Sequence, residues 1–199
     1  VDRSRGLGDV YKRQNINKLK LINNLQKKIG FPLVVKPLNE GSSVNVFICN
    51  KNNILKTLTK LNEYGEVLLE KYIPGREIQV AILENKVLGA IELRPTRKFY
   101  DYQAKYNPKA RTEHIIPVEI SKRKYQELTK IALKAHKILN CRGVTRSDFR
   151  YYKNSFYLLE TNTQPGMTSL SLVPEIANFN NITFKNLIKK ILKDASINK

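Results

Sequence analysis

Three oxygen-bearing side chains in the second half of the chain have the spacing of a cation site. Asp148 lies in one segment of alternating hydrophobicity, and Glu160 and Asn162 lie two residues apart in the next. If these segments fold into a hairpin centred on Asn154, Asp148 lies opposite Glu160, and Asn162 projects from the same face. Two carboxylates and one amide oxygen suit a hard cation such as Mg²⁺. An exposed strand face whose charges pair in solvent would have the same pattern.

Groups that can bind phosphate occur at two places. Arg146 lies on the same strand face as Asp148, where its planar guanidinium can hold a phosphate beside a metal ion. The loop 39–43 follows Lys36 and offers backbone N–H groups and hydroxyls, including that of Ser42. This loop lacks the GxxxxGK[ST] pattern of a Walker A loop, and a plain hairpin connection explains it equally well. The polar groups of segment 68–73 can hydrogen-bond to the edge of an adenine or to a ribose, or the segment can be the ordinary surface of an edge strand.

The surrounding sequence predicts two groups of elements that position these residues. The first group is a small α+β lobe with a helix ending near Gly30, a second helix ending at Gly65, and strands at 31–36, 44–49, 67–72, 77–83 and 86–93. The second group is a closing loop at 94–117, a long helix from Ser121, a hairpin with strands at 143–152 and 155–162, and a final helix at 184–195. The boundaries are therefore predicted as lobes 15–93 and 94–199. Residues 1–14 differ in composition, so we interpret them as a non-native segment outside the fold.

The composition sets limits on the class of protein. The chain has 199 residues, and its hydrophobic fraction of 41% is enough for a folded core, which excludes overall disorder. No apolar run reaches the roughly 18 residues that a membrane span needs, and the start of the chain has no signal-peptide pattern, so we expect a cytoplasmic protein. Cys49 and Cys141 have no disulfide or zinc spacing.

The formal net charge of +19 indicates an anionic partner, which can be a nucleic acid, a membrane surface or a phosphorylated ligand. The basic residues are scattered as singles and pairs rather than in a block. This distribution favours a solvated basic surface over a nucleic-acid footprint.

Motifs spread over residues 31–199 together resemble the ATP-grasp ligases, and specifically the D-alanine–D-alanine ligase family. The matching segments are VKP at 35–37, EGSSV at 40–44, EKYIPGRE at 70–77, FYDYQAKY at 99–106, GVTRSD at 143–148 and LETNTQPGMTSLSLVP at 159–174. The resemblance implies an α+β ATP-grasp fold, in which a small central lobe packs against a C-terminal lobe with a mainly antiparallel sheet. It also implies an enzyme that joins two D-alanines for peptidoglycan synthesis, using ATP to form an acyl phosphate that the second amine attacks.

The same resemblance implies how ATP would be bound. Lys36 would contact the nucleotide phosphates, and Glu70 and Glu77 would hold the adenine amino group and the ribose hydroxyls. Lys71 and Ile73 would line the adenine pocket. The expected small-molecule partners are ATP and D-alanine, with no nucleic acid and no membrane, and a homodimer is expected for the full-length protein.

Roles at the metal and amino-acid sites follow from the resemblance as well. Asp148, Glu160 and Asn162 would bind two Mg²⁺ ions, for which Mn²⁺ is an alternative, and Arg146 with Lys105 would neutralise the transferring phosphoryl group. Ser42 and Tyr106 would join the serine loop to the closing loop, and the second D-alanine site would be shaped by Gly166, Ser171 and Leu172.

Departures from the family pattern set further expectations. The family's N-terminal domain carries a substrate-contacting glutamate and an ATP-contacting lysine that have no counterpart in residues 1–30. We therefore expect a fragment that binds Mg-ATP weakly and has little or no ligase activity alone. The alternatives are another ATP-grasp ligase, such as one making D-alanyl-D-lactate or D-alanyl-D-serine, and a basic nucleic-acid-binding module using Tyr100, Tyr102 and Tyr106. His114 and His136 are expected to be exposed or to pack.

Overall fold

The computed structural model describes residues 8–12, 18–41, 43–95, 112–168 and 171–195. The described residues up to Tyr72 form one compact unit, and those from Ile73 onward form another. No helix in these ranges is long and apolar enough to cross a membrane.

The first unit is a four-stranded antiparallel sheet with two helices. Its strands are β1 (Gly8–Lys12), β2 (Leu33–Pro37), β3 (Phe47–Cys49) and β4 (Glu66–Lys71), in the order β1-β4-β2-β3. Its helices are α1 (Lys18–Lys28) and α2 (Ile54–Lys60). Residues in β2 alternate between buried and half-buried, so Leu33 and Val35 face a core that also contains Leu21 of α1 and Ile54 of α2. Alternation with period two therefore leaves Lys36 on the other face of the sheet.

Strand β1 lies within the segment 1–14 that the composition placed outside the fold. Residues Gly8–Lys12 pair antiparallel with β4, so that Lys12 lies opposite Glu66 and Gly8 lies opposite Glu70. The unusual composition of this segment did not reveal the pairing, because an edge strand is held by backbone hydrogen bonds that depend little on side-chain type.

The second unit is a five-stranded antiparallel sheet in the order β7-β6-β5-β8-β9. Its strands are β5 (Arg76–Leu83), β6 (Lys86–Pro95), β7 (Thr112–Ile115), β8 (Val144–Tyr152) and β9 (Ser155–Asn162). Its helices are α3 (Lys122–Ile138), α4 (Leu172–Phe179) and α5 (Phe184–Asp194). The prediction of an α+β fold is confirmed.

Helices cover both faces of this second sheet. Leu128 and Ala132 of α3 pack with Val80, Ala90 and Phe149 on one face. A Cβ added to Gly89, the neighbour of Ala90, would lie 2.7 Å from Ile176 of α4. Since neighbouring strand residues point to opposite faces, α4 lies on the face opposite α3.

The lobe boundary expected between residues 93 and 94 falls inside β6. Strand β5 pairs along its length with β8, from Arg76 opposite Tyr151 to Leu83 opposite Val144. The hairpin of β5 and β6 therefore belongs to the second sheet rather than to the first lobe. Hydrophobic patterning identifies these strands but does not reveal which sheet a central strand joins.

A buried ion network holds the ends of β5 and β6. The Glu92 side chain is fully buried and accepts hydrogen bonds from Arg76 and Arg94. Arg94 also donates to the Glu119 carboxylate at 2.6 Å. Burial on its own would raise the pKa of Glu92, but the hydrogen bonds from the two guanidinium groups outweigh it and lower the pKa. Since Arg76 is the first residue of β5, the network fixes the start of this strand, where Glu77 is the next residue.

Candidate functional site

The predicted pairing of Asp148 with Glu160 is present in the structure. The register of β8 and β9 places Asp148 opposite Glu160 and Arg146 opposite Asn162. All four side chains therefore project from one face of the sheet, which we call the polar face. Phe149, the neighbour of Asp148, points to the other face and packs in the core against α3.

A β-bulge produces this register. The turn is the two-residue segment Lys153-Asn154, both with positive φ, and its flanking pair is Tyr152 with Ser155. Counting outward from that pair, an uninterrupted ladder would place Asp148 opposite Leu159. The register shifts between Asp148 and Phe149, so Leu159 is the extra residue and Glu160 moves to the polar face.

Arg146 and Asp148 form a two-pronged ion pair on the polar face. Arg146 Nε donates to Asp148 Oδ1 at 2.7 Å, and Arg146 Nη2 donates to Oδ2 at 2.9 Å. The Asp148 residue is buried, with 8% of its surface exposed. Both carboxylate oxygens therefore accept charge-assisted hydrogen bonds from one guanidinium.

The donor set on the polar face fits a hard cation. Asn162 Nδ2 donates to Glu160 Oε1 at 3.2 Å, which leaves the amide oxygen of Asn162 as a third oxygen beside two carboxylates. Gln79, opposite Asp148 on β5, is buried, and its Oε1 has no hydrogen-bond partner among the described residues. An unsatisfied buried oxygen beside two carboxylates is compatible with an oxygen-coordinated ion or its water shell. In the described ranges, no three His, Cys, Asp or Glu side chains cluster as a metal site, so a third oxygen ligand here would be the Asn162 amide rather than another carboxylate.

Glu77 lies farther along the polar face and is held by two neighbours. Arg150 Nη2 lies 3.1 Å from Glu77 Oε2, and Gln79 Nε2 donates to Glu77 Oε1 at 3.1 Å. Arg150 Nη1 also donates to the backbone carbonyl of Gly75 at 3.2 Å. The sequence did not suggest Arg150 or Gln79, although both follow the period-two spacing of residues that it did suggest.

The predicted nucleotide-binding residues of the first unit form a pair. Lys36 Nζ lies 2.8 Å from Glu70 Oε2, and about a quarter of each side chain is exposed. Glu70 lies opposite Val34, two residues before Lys36, so both side chains share the face away from the core. Lys71 is exposed at the end of β4, whereas Ile73 is buried.

The predicted residues of the second D-alanine site lie around the start of α4. Ser171 is the N-cap residue of α4 and Leu172 is its buried first residue. Ser171 Oγ accepts a hydrogen bond from the Thr168 backbone N–H at 2.9 Å. A Cβ at Gly166 would lie 2.9 Å from that hydroxyl. The absence of a side chain at position 166 thus leaves room for the hydroxyl of Ser171.

Three of the predicted residues, Ser42, Lys105 and Tyr106, lie outside the described residues, as do Tyr100 and Tyr102. Among the described residues, neither histidine is hydrogen-bonded to a polar-face carboxylate. His114 Nδ1 lies 2.7 Å from Glu175 Oε2. His136 is buried with its Nδ1 at 2.8 Å from Thr145 Oγ1, so the expectation of a packing role is confirmed for His136.

Comparison with known proteins supports the family suggested by the motifs. A curated D-alanine–D-alanine ligase of Pelagibacter ubique is 63% identical over 183 residues, which are 92% of this chain and 60% of that protein. The crystal structure of D-alanine–D-alanine ligase from Bacillus anthracis complexed with ATP has a TM-score of 0.75 and 32% identity, and covers 94% of this chain and 59% of that chain. The VanG D-Ala:D-Ser ligase from Enterococcus faecalis has a TM-score of 0.78 and 25% identity, with coverage of 94% and 55%.

The chain thus spans about 60% of the length of the curated relative and shares the fold of these ligases. The family profile described as D-ala D-ala ligase C-terminus matches residues 9–193, a range that includes both sheets and the polar face. The chain therefore belongs to the D-alanine–D-alanine ligase family, to whose C-terminal part it corresponds.

Proposed function

We propose that this chain is the nucleotide- and metal-binding part of an ATP- and Mg²⁺-dependent D-alanine–D-alanine ligase. In the proposed reaction, a carboxylate oxygen of the first D-alanine attacks the γ-phosphorus of ATP and ADP leaves. The amine of the second D-alanine then attacks the resulting acyl phosphate, so that inorganic phosphate leaves and a proton is lost. The observation that supports this most directly is the polar face of Asp148, Glu160, Asn162 and Arg146 in a chain of this family.

Asp148, Glu160 and Asn162 are the residues that would hold Mg²⁺. A divalent ion bound there supplies positive charge against the phosphate oxygens of ATP. The chain's part is to present three oxygens from two neighbouring strands, with the bulge at Leu159 setting their common face. Anchoring ligands on strands rather than loops fixes their positions.

Arg146 and Lys36 are proposed to neutralise the phosphates. Phosphoryl transfer depends mainly on alignment and charge neutralisation, since no covalent attack by a side chain is required. The planar guanidinium of Arg146 can donate two hydrogen bonds to one phosphoryl group, and the Lys36 ammonium acts as a compact charge. Lys105 is proposed to assist Arg146.

The base and sugar of ATP are assigned to acidic and apolar groups. Glu70 and Glu77 carry acceptors for the adenine amino group and the ribose hydroxyls, and Lys71 and Ile73 are proposed to line the adenine. Arg150 and Gln79 hold the Glu77 carboxylate in place through hydrogen bonds. Glu77 can thus accept from a ribose hydroxyl with little loss of side-chain freedom.

The second D-alanine is proposed to bind at the start of α4. Ser171 supplies a hydroxyl and Leu172 an apolar wall there, while Gly166 leaves the hydroxyl in place. Ser42 and Tyr106 are proposed to join the serine loop to a closing loop over the acyl phosphate, because water would otherwise hydrolyse that intermediate.

The likeness to a D-Ala:D-Ser ligase supports one alternative. The second amino acid would then be D-serine rather than D-alanine, with the same use of ATP and metal. The proposed setting is the bacterial cytoplasm, where the product would enter peptidoglycan synthesis and the full-length enzyme would be a homodimer. We further propose that the chain alone ligates weakly, since it spans about 60% of the length of its curated relative.

Direct binding measurements test this proposal. Mn²⁺-ATP is titrated into the chain by calorimetry, and the titration is repeated with Asp148→Asn, Glu160→Gln and Asp194→Asn. Asp194 pairs with Arg142, away from the polar face, so its variant controls for the loss of a carboxylate. We expect weak binding that drops at least tenfold in the first two variants only. Equal affinity in all four proteins would refute the assignment, and product analysis with D-alanine, D-serine and D-lactate decides the second substrate.

A further inference from the structure

Arg146 donates hydrogen bonds to both carboxylate oxygens of Asp148, a residue that we propose binds metal. Its Nε and Nη2 donate to Oδ1 and Oδ2 of Asp148 at 2.7 and 2.9 Å. We propose that Arg146 acts as a replaceable cation, which holds Asp148 while no metal is bound and is displaced when a divalent ion binds. This inference rests on the proposed function and adds an order of events within the site.

Asp148 needs a positive partner when no metal is bound. The residue is buried and lies directly opposite the Glu160 carboxylate on the neighbouring strand. Like charges facing each other across two strands are unfavourable, and a buried carboxylate without a partner is more so. The two-pronged pair with Arg146 relieves both effects, and only 12% of the Asp148 side chain and 19% of the Arg146 side chain remain exposed.

The neighbours of Arg146 across the sheet carry no charge. Arg146 lies opposite Ala81 on β5 and opposite Asn162 on β9. The two positions directly opposite Arg146 therefore hold no carboxylate, and Glu160 lies one pair farther along the polar face. A guanidinium displaced from Asp148 that stays on the polar face can donate to a phosphate placed there.

Exchange follows from the direction of the two contacts. The two-pronged pair uses one lone pair on each Asp148 oxygen, on the side of the carboxylate that faces Arg146. A metal ion that bound Asp148 from that side would weaken at least one of the two guanidinium contacts. Arg146 and the metal ion thus compete for Asp148. Any ligand that draws Arg146 away therefore raises the affinity for the metal ion, and by linkage the metal ion raises the affinity for that ligand by the same factor. ATP phosphates are such a ligand, so metal binding and phosphate binding would reinforce each other beyond their direct contact.

Metal binding without nucleotide tests the competition. Free Mn²⁺ is followed by electron paramagnetic resonance during titration of the unmodified chain, Arg146→Gln, Arg142→Gln and Asp148→Asn. Arg142→Gln removes the same charge from the pair with Asp194 and controls for the overall charge of the chain. We expect Arg146→Gln to bind Mn²⁺ about fivefold more tightly, Arg142→Gln to change affinity less than twofold, and Asp148→Asn to lose the site.

The outcomes separate this inference from the proposed function. Asp148-dependent Mn²⁺ binding that Arg146→Gln leaves unchanged or weakens would overturn the exchange while leaving the metal site intact. Equal tightening in Arg142→Gln would also overturn it, because general charge would then explain the effect. Absence of Asp148-dependent binding in every variant would overturn both.

A second variant keeps the test decisive if Arg146→Gln does not fold. Arg146→Lys retains the charge but cannot donate in the two-pronged geometry, so we expect Mn²⁺ affinity to rise about twofold. Thermal melting gives an independent readout: Mn²⁺ should raise the melting temperature of the Arg146 variants more than that of the unmodified chain. An equal rise in all of them would contradict the proposed competition.

Discussion

Replacing Gly75 by alanine should damage the second unit well beyond an ordinary glycine substitution. Gly75 has a φ of +106°, and an added Cβ would lie 2.3 Å from the backbone carbonyl oxygen of Tyr151. It would also lie 3.2 Å from the Tyr151 carbonyl carbon and from the Tyr152 Cβ. Backbone atoms of a paired strand cannot move aside as a flexible side chain can, so the start of β5 must separate from β8.

The magnitude follows from two contributions. A positive φ disfavours an L-residue by roughly 1–2 kcal/mol, and forcing an extra methyl group into a packed position adds roughly 1–3 kcal/mol. We expect Gly75→Ala to lower the free energy of unfolding by about 3 kcal/mol, which corresponds to a fall of roughly 6–12 °C in melting temperature for a protein of this size. The Gly75 carbonyl accepts from Arg150, which also pairs with Glu77, so the displacement should reach Glu77, which is proposed to bind the nucleotide.

Gly143→Ala is the matched control in the same unit. Gly143 has a φ of +61°, and its Cβ would meet nothing closer than the Asp194 Oδ2 at 3.7 Å. Only the conformational contribution remains there, so we expect a loss of about 1 kcal/mol. Melting is followed by circular dichroism, and ATP affinity by calorimetry. Equal losses of stability in the two variants would refute the steric reasoning, and an unchanged ATP affinity in Gly75→Ala would refute the link to Glu77.

Three further predictions follow from buried or paired groups. Glu92→Gln should lower the free energy of unfolding by about 2 kcal/mol at neutral pH. Because the folded-state pKa of Glu92 is lowered, its contribution to stability is present above the unfolded pKa of about 4.3 and is lost as the pH falls through the folded pKa. The melting temperature of the unmodified chain should therefore fall from neutral pH to acid with a slope that the variant lacks. Burial lowers the pKa of His136, so its neutral form is favoured in the fold. Stability is therefore highest above the unfolded pKa of about 6.5 and is lost as the pH falls toward the folded pKa. The same dependence of melting temperature on pH in His136→Gln as in the unmodified chain would contradict this. Deleting Leu159 should preserve Asp148-dependent Mn²⁺ binding in the titration above, whereas deleting Thr161 should weaken it, and the reverse order would contradict the bulge assignment.

The hairpin shows how far sequence reasoning reaches at this site. Equal distance from Asn154 predicted the pairing of Asp148 with Glu160, and the register confirms it. The assumed geometry was different, since the turn is centred between Lys153 and Asn154 and an extra residue at Leu159 restores the pairing. A bulge leaves little trace in hydrophobic alternation at an edge strand, because both faces of such a strand can carry polar residues.

Charge pairing and sheet membership were less accessible. Spacing placed Arg146 and Asp148 on one face but could not show that the guanidinium takes both carboxylate oxygens. It also missed Arg150, whose role depends on a residue more than seventy positions earlier in the chain. The motifs supplied the family without showing where β5 and β6 belong, since that depends on long-range backbone pairing.

Three of the four acidic residues proposed to bind ATP and metal share a property that single motifs do not reveal. Glu70 is paired with Lys36, Glu77 with Arg150, and Asp148 with Arg146. Each pair joins an acceptor suited to a metal ion, a hydroxyl or an amino group with a cation suited to phosphate. A nucleotide with its metal ion carries both kinds of partner, so its binding can replace internal ion pairs one for one rather than leave charges exposed. Ligands that offer only phosphate or only a metal ion would separate a pair without satisfying both members, and weaker binding of either one alone is the physical consequence.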